Sequence, residues 1–120
     1  LIHRSIFNSV GLFDEKFPVC EDYDLWLRIA SKYPILYLED KLTIKFGGHF
    51  NQLSKKYWGV DRYRIKALRN IFKNNTLSKK NKDMVKKTLR KKAKIYLNGL
   101  KKRNKLKEIT FYENLIKEYA

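Results

Sequence analysis

The chain has 120 residues, 43% of them hydrophobic and 14% aromatic, with 28 Lys and Arg against 12 Asp and Glu, a formal net charge of +16. That hydrophobic content excludes a disordered polypeptide, the single cysteine excludes an internal disulfide framework, and no apolar run reaches the roughly 18–20 residues that span a bilayer as a helix. The charge is uneven: residues 1–54 hold six basic and seven acidic side chains, net −1, whereas residues 55–120 hold 22 and five, net +17.

Ile6, Phe7 and Val10 at helical spacing predict a short helix over residues 3–10, stopped by Gly11. A loop through Phe13-Asp14-Glu15 runs to Pro18; in it Phe13 reads as a core residue and Asp14 as the start of a turn. Leu25, Ile29 and the Trp26/Leu27 pair predict a helix over 21–32. Glu21, Asp22 and Asp24 fall in its first turn and Arg28 and Lys32 near its end, as the helix dipole favours. Pro34 closes it. Ile35-Leu36-Tyr37-Leu38 predicts a short strand, Glu39-Asp40-Lys41 a turn, and Leu42 to Phe46 a second, alternating strand. Gly47-Gly48 then breaks the pattern before His49.

From Tyr57 the pattern is helical to the end. Tyr57, Val60, Arg64, Leu68, Ile71 and Phe72 mark one helix, ended by Asn74-Asn75. Ser78 caps a second, striped by Val85, Leu89, Ala93, Tyr96 and Leu100, and Ile109, Tyr112, Ile116 and Tyr119 mark a third. The change of composition near Ser54 divides the chain into residues 1–54 and a basic amphipathic helical extension, 55–120.

Three acids within four positions of so basic a chain mark a candidate site. Helical residues are about 100° apart, so Asp22 and Asp24 are about 200° apart and cannot both face one ligand. Asp24 stands four residues before Arg28 and reads as half of a structural ion pair. Asp22 has no basic partner at that spacing; it shares a face with Trp26 at a helix N-terminus, where the dipole favours the ionised carboxylate. Such a carboxylate within reach of a hydroxyl can act as a general base, although a plain N-terminal acid leaves the same trace in a sequence. Cys20 reads as a small, partly buried hydrophobe with no neighbouring histidine to activate it. His49 reads either as a structural or surface histidine or as a ligand, since Gly47-Gly48 allows close backbone approach to a bound group.

Phe13-Asp14-Glu15, the run Glu21-Asp22-x-Asp24-Leu25-Trp26-x-Arg28 and the segment ending in His49 occur in an order that resembles the C-terminal half of a bacterial family 2 glycosyltransferase catalytic domain, over about residues 1–72. Asn51-Gln52-Leu53-Ser54 and Tyr57 to Arg64 resemble a subgroup with a Gly-Gly-His segment. The resemblance implies an α/β fold class: the C-terminal part of a GT-A, Rossmann-like domain, mainly helical here with a short two-strand segment, residues 1–54 forming its acceptor side. It implies transfer of a sugar, with inversion, from a nucleotide-diphosphate sugar to a sugar or lipid-linked acceptor hydroxyl, in bacterial surface polysaccharide or glycan synthesis. In that scheme Asp22 is the catalytic base, Glu21 and Trp26 support the acceptor site, and His49 helps to hold a divalent metal (Mg or Mn) or the diphosphate.

The family's nucleotide pocket and strand-end D-x-D metal motif belong to the preceding half. Asp22-Tyr23-Asp24 spells D-x-D but on a helix, and the chain has no Gly-rich phosphate loop. The chain therefore reads as a piece of a longer enzyme, inactive by itself, cytoplasmic and peripheral on the inner face of the plasma membrane. A reading from another class stays open, a non-enzymatic basic helical module. Lys79 to Lys107 surrounds an apolar stripe with Lys and Arg, which suits a solvated face, an anionic membrane surface or nucleic acid. Nucleic acid ranks last, because the tyrosines fall on the apolar stripes and not among the lysines.

Overall fold

The computed structural model describes residues 1–48, 52–74 and 77–120. Its helices are α1 (Ile6–Val10), α2 (Glu21–Ala30), α3 (Leu53–Lys56), α4 (Asp61–Lys73), α5 (Lys79–Lys102) and α6 (Ile109–Glu118), with a 3-10 turn over Leu106–Glu108 leading into α6. Gly11 ends α1 with φ 79°, a backbone state that glycine adopts without steric cost. At the start of α5 the Ser78 hydroxyl accepts a hydrogen bond from the Asn81 N–H at 3.2 Å.

The 24-residue α5 is the spine of the molecule: α4 and α6 pack on it, α2 packs on α4, and α1 on α2. Its apolar stripe is the buried one. Leu89, Ala93, Tyr96, Leu97 and Leu100 join Ile65 and Leu68 of α4 and Tyr112 and Leu115 of α6 in one cluster. Burying each of the large side chains contributes about 1.5–3 kcal/mol, so the packing of four amphipathic helices, and not local propensity, holds the fold. Tyr23 and Leu27 of α2 lie against the same cluster. Aromatic rings fill its edges, with Tyr96 and Tyr112 centroids 4.7 Å apart and Phe72 and Tyr119 meeting edge-on at 5.0 Å.

The two strands expected over residues 35–38 and 42–46 do not form, and the described residues contain no strand and no sheet. The α/β, Rossmann-like fold class is therefore corrected to a helical one for these residues. The backbone there lacks helix and ladder alike, and Leu36, Tyr37, Ile44 and Phe46 are 91%, 85%, 80% and 79% exposed. The physical reason is the absence of a partner: an isolated pair of short strands is marginal in water, and helices that bury their apolar faces on one another offer it no sheet edge.

Three smaller expectations also shift. Phe13 is 55% exposed; the turn in which Phe17 N–H donates to the Asp14 carbonyl puts Phe17 and Val19 in the interior instead. The helix expected from Tyr57 begins only at Asp61, because Gly59 takes φ 69° and the ring of Tyr96 occupies the space beside it. α2 ends at Ala30, two residues before the expected Lys32.

Candidate functional site

α2 sorts its acids as the 200° separation requires. Asp24 is buried, 5% exposed, and its Oδ2 accepts a hydrogen bond from Arg28 Nε at 2.9 Å. The Arg28 guanidinium also donates to the backbone carbonyls of Val10, Gly11 (3.3 Å) and Leu12 (2.8 Å). One residue thus ties α2 to the end of α1, and its charge is matched by the carboxylate beneath it. Asp24 and Arg28 line a groove of about 290 Å³ with Leu12, Asp14, Asn70 and Asn74.

Asp22 lies on the other face, exposed, with its Oδ1 accepting a hydrogen bond from the Tyr23 N–H at 2.7 Å. Trp26, one turn further along the same face, is 43% exposed, and Glu21 is partly buried. Cys20 precedes the helix in the left-handed region, φ 63°, with its Sγ 3.8 Å from the Val60 carbonyl. The arrangement presents an accessible carboxylate at a helix N-terminus with an indole surface beside it. It can accept a proton from a bound hydroxyl, and the indole can bound one side of a ligand.

The charges around Cys20 and Tyr23 come in part from α4. Asp61, in the first turn of α4, pairs with Arg64 at 3.0 Å and with Lys92 of α5 at 3.3 Å. The hydrogen bond that Arg64 donates to the Asp61 carboxylate raises the pKa of Arg64, so this cation is fixed. Burial pushes up the Cys20 thiol and the Tyr23 phenol, each only partly offset by Arg64. A buried thiol held protonated is a poor nucleophile, in keeping with its role as a small core residue.

No group of three His, Cys, Asp or Glu side chains among the described residues could hold a metal ion. With Asp24 occupied by Arg28 and Asp22 on the opposite face, the Asp22-Tyr23-Asp24 string does not fit a cation. His49 lies outside the described residues. The sequence pattern did not reveal the three carbonyls held by Arg28 or the link from Asp61 to Lys92; Gly11, which turns the chain so that its carbonyls reach α2, is the nearest signal for the first. No helix among the described residues is long and apolar enough to cross a membrane.

Against known proteins, the chain is similar to part of several bacterial sequences. It is 39% identical over 56 residues to uncharacterized glycosyltransferases of Rickettsia felis, Rickettsia conorii and Rickettsia bellii. Each match covers 47% of this chain, but only 9% of the first two relatives and 8% of the third. No family model and no solved structure matches. A stretch of this chain is thus similar to a stretch of glycosyltransferases.

Proposed function

We propose that this chain is part of a family 2 glycosyltransferase that moves a sugar from a nucleotide-diphosphate sugar to an acceptor hydroxyl with inversion, in bacterial surface polysaccharide or glycan synthesis. The observation that carries the reading is the division of labour on α2: Asp24 is buried against Arg28, which leaves Asp22 exposed at the helix start beside Trp26. The glycosyltransferase names of the partial relatives support it.

In this reading the Asp22 carboxylate removes the proton from the acceptor hydroxyl as the hydroxyl oxygen attacks the anomeric carbon and the nucleoside diphosphate leaves. The Tyr23 N–H, donating to its Oδ1, orients that carboxylate before the attack. Trp26 bounds the acceptor pocket, and Glu21 borders it. The test is Asp22→Asn in the full-length protein. General-base catalysis contributes about 10²–10⁴-fold, so transfer should fall by at least a hundredfold while donor binding is kept. Melting should stay within about 0.5 kcal/mol of the parent, because the side chain is exposed. Transfer at a near-parental rate would remove Asp22 from the base role.

A further inference from the structure

α5 carries eleven basic residues and one acid, Asp83, in 24 positions, and its buried stripe is already used by α4 and α6. The opposite stripe is exposed along the whole helix: Lys80, Lys87, Lys91 and Lys102, with Met84 (59% exposed) and Ile95 (54% exposed) between them. Met84 and Ile95 are eleven residues apart, three helical turns, so they lie in one line. Beside this line Lys87, Arg90, Lys91 and Lys94 border a shallow groove of about 470 Å³. Among the described residues, the basic side chains of α5 that meet a carboxylate are Lys92, on Asp61, and Lys101, on Glu113; neither belongs to the exposed stripe.

We propose that this face of α5 is a docking surface for an anionic phospholipid membrane, with the helix lying flat along about 36 Å of headgroups. Charge complementarity selects the occupant. A helical protein partner would need an apolar seam, and this stripe has two apolar side chains among its lysines. Single-stranded nucleic acid would need aromatic rings among the cations for base stacking, and the stripe of Lys80, Met84, Lys87, Lys91, Ile95 and Lys102 has none. An anionic lipid surface needs only unpaired cations in one plane, and Met84 and Ile95 can enter its outer layer. Since the apolar face of α5 is held in the protein core, attachment is electrostatic and salt-sensitive, not insertion of an amphipathic helix. The inference does not depend on the transferase reading.

The test is co-sedimentation of the 120-residue chain with vesicles of phosphatidylcholine alone and of equal parts phosphatidylcholine and phosphatidylglycerol. Binding should require phosphatidylglycerol and fall steeply with salt. One exposed lysine at an anionic surface is worth about fivefold in partitioning, so replacing Lys87, Lys91 and Lys94 together by Gln should weaken binding about a hundredfold. The same charge change made at Lys16, Lys41 and Lys45, outside α5, should weaken it less than about fivefold. Circular dichroism should show both variants folded, because all six side chains are exposed. Equal losses from the two triple variants would overturn the assignment of this face. So would absence of binding at low salt, or displacement from vesicles by single-stranded DNA at a lower phosphate concentration than the lipid presents.

Discussion

Replacing Arg28 by Ala tests how α2 is held and, through α2, how Asp22 is placed. Arg28 joins a carboxylate that is 5% exposed to three carbonyls at the end of α1, and it is the hydrogen-bond partner of the Asp24 side chain among the described residues. Truncating it strands a buried negative charge. Breaking a buried pair in that way costs about 3–5 kcal/mol. The Arg28 side chain is 22% exposed, so water can partly replace it, and the lower end, about 3 kcal/mol, applies. The carbonyls of Val10 to Leu12 are near solvent and regain water, so they add little. For a chain of this size about 3 kcal/mol lowers the melting temperature by about 10–15 °C. Asp24→Ala should cost less, about 1–2 kcal/mol, because Arg28 keeps its carbonyl partners. The double variant should then show a coupling of about 1–3 kcal/mol. Urea and thermal unfolding of the four proteins measure all three quantities. A cost below about 1 kcal/mol for Arg28→Ala, or single losses that add within about 0.5 kcal/mol, would refute the clamp.

Gly59→Ala should destabilise by about 2–3 kcal/mol, since a side chain is strained at φ 69° and the new Cβ would lie 2.8 Å from Tyr96 Cε2. Gly47→Ala, with nothing within 4 Å, is the control, and equal unfolding midpoints for the two would contradict the packing of Gly59 on Tyr96. Cys20 should react slowly with iodoacetamide at mildly alkaline pH and quickly in urea, because burial raises its pKa in the fold. The stability that comes with this shift is complete below the ordinary thiol pKa and is lost as pH rises through the raised one, so unfolding midpoints should drop at high pH, and less so in Cys20→Ala. Alkylation at the same rate with and without urea would show the thiol to be open.

Much of the helical core was legible from spacing. Leu89, Ala93, Tyr96 and Leu100 recur at three and four residues, and a stripe of that kind has one stable use, burial against similar stripes. Residues 35–46 form no strands despite their pattern, because alternation specifies which face of a strand is apolar, not whether a partner strand is present to complete a ladder. α4 starts later than the spacing predicts because Tyr57 and Val60 continue the apolar pattern, while the interruption lies at Gly59, whose left-handed turn packs against the distant Tyr96. Phe13 and Phe17 are equally apolar, and the Asp14 turn decides which of them faces inward.

For the candidate site, periodicity by itself was enough to put Asp22 and Asp24 on different faces, because the angle between two residues of one helix is a local property of the backbone. The concentration of cations after Lys55 was likewise a matter of composition. Tertiary structure decided what each face meets. It buried Asp24 under Arg28, brought three carbonyls from the end of α1 to the same guanidinium, and joined Asp61 to Lys92 across α4 and α5. It also left the Lys87 and Lys91 side of α5 facing water. Those outcomes depend on residues distant in the chain, whose contacts form only when helices bury their apolar stripes together; no local pattern encodes them.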